Sequence, residues 1–128
     1  MTEKLSKIEY AACSFGNSQL VSVGYKDGAL EVVLSSNTTS VMNNFKIIFD
    51  WVHSFRLTNE SDLLKMQEEQ SGQLLAGIYI VDRSGYMKWF AEQSAGIHDT
   101  EEITHYLLAT SDDVIDILSS VEPLIFND

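Results

Sequence analysis

Three histidines, one cysteine and 19 carboxylates are the side chains of this 128-residue chain best equipped for chemistry. His98 directly precedes Asp99. An imidazole beside a carboxylate is the usual material of a small acid–base enzyme, because the carboxylate fixes the tautomer that moves the proton. Adjacent polar residues in a loop otherwise simply face water. His105 shares a period-two face with Ile103 and Leu107, and His53 lies between Trp51 and Phe55. Both settings point to hydrogen-bonded histidines in or at the rim of a core. Cys13, among Tyr10, Ala11, Ala12 and Phe15, would need one of these histidines beside it to become a thiolate nucleophile. Such surroundings more often hold a small buried hydrophobe. No glycine-rich phosphate loop, paired-cysteine ligand set or His-Glu-x-x-His motif occurs. The spacing therefore predicts no catalytic residue, no metal site and no cofactor.

The elements that must carry these residues form one globular domain over 1–128. A 45% apolar, 21% charged composition is too apolar for disorder, and the length suits one core. A formal charge of −11 disfavours nucleic acid and anionic membranes, whose phosphates must be met by Lys and Arg. A single cysteine permits no internal disulfide. The first nine residues hold lysines but no apolar stretch of signal-peptide length, so the expected compartment is the cytoplasm. The longest apolar run, Leu74 to Val81, is far short of the roughly 20 residues that span a bilayer.

Gln19–Tyr25, Lys26-Asp27-Gly28 and Ala29–Leu34 predict a hairpin, with Asp-Gly supplying the positive φ of a tight turn. An earlier strand is expected over Ile8–Phe15, and the polar stretch Ser35–Asn44 reads as a loop, with a short strand or a helical turn inside it left open. Phe45 to Leu57 alternates at period two but is long for one strand, which predicts a bend near Asp50 or Val52. A short helix is expected from Asn59 or Ser61 to about Gln70, then a central strand over Gln73–Asp82. Ser84 caps a second helix through Gln93, with Tyr86, Trp89 and Phe90 on one side and at least Trp89 or Phe90 inside. Ile103–Ala109 is a strand. Val114–Leu118 fits either helix or strand, the strand being favoured by its β-branched run after a Ser-Asp-Asp turn. The expected class is α+β: a mainly antiparallel sheet of about six strands with two short helices packed on it.

Charge placement says more than the motifs. Beyond Lys88 there is no Lys or Arg, while nine carboxylates follow. Unneutralised carboxylates so close in sequence repel one another unless a cation or basic partner is near. They solubilise the surface at the least. As a docking face they would draw a basic protein, with Asp99, Glu101, Glu102, Asp112, Asp113 and Asp116 supplying charge and Trp89 and Tyr106 the aromatic anchors.

Three stretches carry a resemblance: His53-Ser54-Phe55-Arg56-Leu57-Thr58-Asn59-Glu60-Ser61-Asp62-Leu63, then Gly85 to Ile97, then His105–Thr110 with Val114–Ser119 and Pro123. Over about the last 60% of the chain they resemble small acidic bacterial proteins, similar in size and charge to immunity proteins of polymorphic-toxin and contact-dependent inhibition systems. The resemblance implies a non-enzymatic inhibitor that binds and blocks one basic toxin domain, often a nuclease. The matched residues are framework and carry no binding role with them; Arg56 is expected to pair with Glu60 or Asp62 at a strand–helix corner. Two further expectations remain open: a self-associating structural or regulatory module, using a sheet edge or the Trp51/Phe55 face, and a small hydrolase or lyase using His98 and Asp99.

Overall fold

The computed structural model describes residues 3–8, 18–38, 41–59, 62–63, 68–69, 76–98 and 101–127. Along the chain these form β1 (Lys4–Ile8), β2 (Ser18–Lys26), β3 (Ala29–Thr38), β4 (Val41–Phe49), β5 (Ser54–Asn59), β6 (Gly77–Asp82), α1 (Gly85–Gln93), β7 (Thr104–Ala109), β8 (Asp113–Ser119) and β9 (Leu124–Asn127). The expected α+β class is corrected: among the described residues nine strands lie in two antiparallel sheets, with α1 as the one complete, and short, helix. One sheet has the order β1-β6-β7-β8-β5 and the other β2-β3-β4-β9.

The excess strands come from segments whose side chains hide them. The polar stretch expected to be a loop is strand on both sides, and Thr38 pairs with Val41 at its tip. Backbone ladder bonds need no apolar side chain, so a polar hairpin end leaves no hydrophobic alternation to read. β9 follows Pro123 and pairs with β4 over four residues, too short for a periodic signal. The first described strand is Lys4–Ile8; the strand expected over Ile8–Phe15 falls, from residue 9 onward and with Cys13, outside the described residues. So do most residues of the expected 59–70 helix; Asn59, one of its two proposed caps, closes β5, and Glu68 and Glu69 are helical.

The β2–β3 hairpin turns on Asp27 (φ 52°) and Gly28 (φ 87°), the paired positive dihedrals whose twist suits flanking strands. Gly28 is required twice over. A Cβ there would meet the Trp51 ring at 2.3 Å, so the ring lies directly on the turn. The alternating run from Phe45 bends at Asp50, as its length demands. β4 ends in one sheet and β5 begins in the other, so the chain switches layers at Trp51–His53. Three bonds hold that corner: Val52 N–H to Gly28 O (2.8 Å), His53 N–H to Leu118 O (2.8 Å) and Ser119 Oγ to Trp51 O (2.6 Å).

Between the sheets lies the main core, in which Leu30, Val32, Leu34, Phe45, Ile47 and Phe49 meet Ile78, Tyr106, Leu108, Ile115 and Ile117. The opposite face of the five-stranded sheet is covered as well. Tyr79, Val81, Leu107, Ala109 and Val114 form a second buried cluster there, with Leu5 and Leu63 against it. Strands buried on both faces read as continuous apolar runs, which is how β6 looks in sequence; β8 does so except for Asp116. Asp113–Ser119 is a strand, pairing β7 on one side and β5 on the other. No helix among the described residues is long and apolar enough to cross a membrane.

Candidate functional site

Where α1 lies against the five-stranded sheet, a chain of polar side chains runs from exposed Arg56 through buried Asp116 and His105 to half-buried Ser84. Arg83 takes a left-handed backbone (φ 57°) after β6 and leads into Ser84, the helix cap. The Ser84 hydroxyl oxygen accepts the Met87 N–H at 2.9 Å and lies 2.5 Å from His105 Nδ1. His105 Nε2 lies 2.7 Å from Asp116 Oδ1, and Arg56 Nε donates to Asp116 Oδ2 at 2.8 Å. Arg56 stands directly across from Asp116 in the β5–β8 register, which is why the pair meets. It also lies 4.3 Å from the centre of the Tyr86 ring, whose hydroxyl bonds Ser54.

The side chains of Asp116 and His105 are only 4% and 2% exposed. Burial alone would push the Asp116 carboxyl up, but the bonds from His105 and Arg56 outweigh it and hold the group below its ordinary 3.8. Ionised Asp116 thus receives the His105 Nε2–H. In that tautomer Nδ1 accepts from the Ser84 hydroxyl. Desolvation raises the Tyr86 phenol above 10.0, so it stays neutral against Arg56.

A second cluster is open to solvent. Ala95 (φ 52°) and Gly96 (φ 77°) end α1 in two left-handed residues, turning the chain back over the helix. His98 then stacks on Phe90 (5.6 Å, 20°) and lies 5.0 Å from the His53 ring; His53 in turn meets Phe90 at 5.7 Å and Trp51 at 6.3 Å. Glu101 Oε2 lies 2.8 Å from His98 Nδ1 and 3.8 Å from His53 Nε2. A row of rings from Trp51 to His98 therefore carries a carboxylate at one end. Trp89, the neighbour of Phe90 on α1, stacks on Tyr86 at 5.7 Å. Both tryptophans are 50% exposed. The expected inside position falls to neither Trp89 nor Phe90 in full: Phe90 is half-buried, and Tyr86 is the helix residue that goes in.

The residues singled out from sequence are spread over the molecule. Glu101 and Glu102 are exposed at the start of β7, whereas exposed Asp112 and half-buried Asp113 form the turn at its other end. At about 3.3 Å per residue, a six-residue strand separates the two groups by roughly 17 Å. Asp116 faces the underside of α1 and is bonded to Arg56 and His105. Arg56 thus has a partner that the sequence did not suggest. Tyr106 is 5% exposed between the sheets, 5.2 Å from Phe49, because alternate β7 residues face the main core. Asp99 lies outside the described residues, as does Glu60. His53 is the site residue whose role sequence reasoning missed; its alternation with Trp51 and Phe55 suggested core, and nothing in the spacing ties it to His98. Comparison with protein-family models, with curated proteins and with solved structures finds no match for the chain.

Proposed function

We propose that the protein is a non-enzymatic binding protein that occupies a basic partner, a toxin domain of the nuclease kind, through the face carrying Trp51, Trp89, Glu101 and Glu102. The observation that carries this reading is the exposure of both tryptophans, with exposed Glu101 closing the row of rings that starts at Trp51, in a chain without Lys or Arg beyond Lys88. Large aromatics left half in water are the residues that yield most when desolvated by a partner. Acidic neighbours select a cationic one and raise the rate at which it arrives. Asp116, bonded to His105 and Arg56, and Tyr106, buried between the sheets, are no part of this face. Asp112 and Asp113 lie at the far end of β7 and belong to the solvated surface.

The test is to recover the partner by affinity capture from the native host and then follow association of the purified pair at increasing salt. A basic partner whose association rate falls steeply with ionic strength is expected. An acidic partner, or a rate independent of salt, would overturn the reading.

Ser84–His105–Asp116 has the donor–acceptor order of a hydrolase triad, and a cleft of about 470 Å³ is lined by Ser84, Met87, Lys88 and His105. This favours a second reading, acyl transfer from Ser84. Three features weigh against it. The Ser84 oxygen already caps α1, the adjacent Gly85 N–H that could stabilise an oxyanion donates to Glu3 Oε2 at 2.8 Å, and Arg56 neutralises Asp116. A reactive fluorophosphonate should therefore leave Ser84 unlabelled in intact protein by mass spectrometry. A stoichiometric adduct at Ser84 would replace the binding reading with an enzymatic one.

A further inference from the structure

We propose that His53, His98 and Glu101 bind one divalent ion of the zinc class. The three come from separate places: the corner where the chain changes sheets, the turn after α1, and the approach to β7. Their ligating atoms lie within 4.8 Å of one another. Ligands at zinc-bond lengths of 2.0–2.2 Å around a tetrahedral ion sit roughly 3.4 Å apart. The observed 2.8 Å and 3.8 Å from Glu101 Oε2 bracket that spacing, so small side-chain rotations suffice.

Two imidazoles and one carboxylate suit zinc, cobalt or nickel and leave one coordination position for water or another small ligand. Magnesium and calcium, which prefer oxygen cages, are poorly served. Phe90 packs against both histidine rings and limits their freedom, which lowers the ordering cost of binding. A cavity of about 220 Å³, lined by Met87, Phe90, Ala91, His98, Glu101 and Ile103, adjoins two of the three ligands. It leaves room beside His98 and Glu101 for a fourth ligand. Metal and partner readings are separable, because the ion is titrated into the protein alone.

The experiment is calorimetric titration of the metal-free full chain with Zn²⁺, alongside Co²⁺ titration read by visible absorption. Expected are one ion per chain, the intense visible bands of four-coordinate cobalt, and no heat with Mg²⁺. His98→Ala, at a half-buried position, and Glu101→Gln, at an exposed one, should each weaken Zn²⁺ at least by the ~10–100-fold seen when a residue that merely orients a ligand is lost. Circular dichroism confirms that each variant is folded, and His53→Gln provides a third arm. Absence of one-to-one binding, or Zn²⁺ affinity unchanged in the folded variants, would overturn the proposal. Cobalt spectra of octahedral type that persist in all three variants would show adventitious surface binding and overturn it equally.

Discussion

Asp116→Ala should lower the stability of the fold by about 3 kcal/mol at neutral pH. Removing one partner of a buried ion pair costs roughly 3–5 kcal/mol, and the low end applies because the Arg56 side chain is 51% exposed and can be rehydrated. His105 cannot: at 2% exposure its Nε2–H loses its acceptor with no water to replace it. Asp116→Asn, which keeps the volume and one acceptor, should cost about 1–2 kcal/mol. The loss should depend on pH in a definite sense. Because the folded-state carboxyl titrates below its ordinary 3.8, ionisation stabilises the native protein fully above about pH 5. That contribution drains away as pH falls below 3.8 through the folded value. Urea unfolding at pH 7 and pH 3 checks this: the gap between wild type and Asp116→Ala should narrow at the lower pH. Equal stability at pH 7 would mean that the buried chain of bonds contributes nothing net.

The sequence makes local structure legible where backbone and side chain agree. Asp27-Gly28 fixes the β2–β3 turn because only such residues accept paired positive dihedrals, and Ser84 marks the start of α1 because its hydroxyl satisfies a free helical N–H. Asp50 marks the bend because thirteen alternating residues exceed one strand. What stays hidden is anything decided by layers. Asp116 is flanked by Ile115 and Ile117, and period two puts it on the face away from the main core. That face would be solvent in a sandwich without a third layer, and here α1 covers it. Of the six acidic residues picked out for docking, two lie at each end of β7 and Asp116 inside, while Asp99 falls outside the described residues. The His53–His98–Glu101 meeting is equally invisible, since it depends on a helix end folding back over a corner distant in sequence. The β-rich class was obscured by strands whose outer halves are polar.

Trp89→Ala and Trp51→Ala carry the second large effect. A tryptophan that becomes fully desolvated at an interface typically costs 2 kcal/mol or more when truncated, which is about 30-fold in Kd. Both positions are half in water in the free protein. Their removal should therefore act mainly on dissociation, with a smaller effect on folding. Trp89 gives the cleaner result, because Trp51 also packs on Gly28.

The most direct test compares two charge reversals in the same assay: Glu101→Lys with Glu102→Lys, and Asp112→Lys with Asp113→Lys. Each changes the net charge by the same amount, from opposite ends of β7. Association with the captured partner should slow at least tenfold at low salt for the first pair and stay near the wild-type rate for the second. Equal slowing by both would show that only net charge matters, and slowing by the second pair alone would place the partner at the wrong end of the molecule. Either result contradicts a docking face built around the two tryptophans.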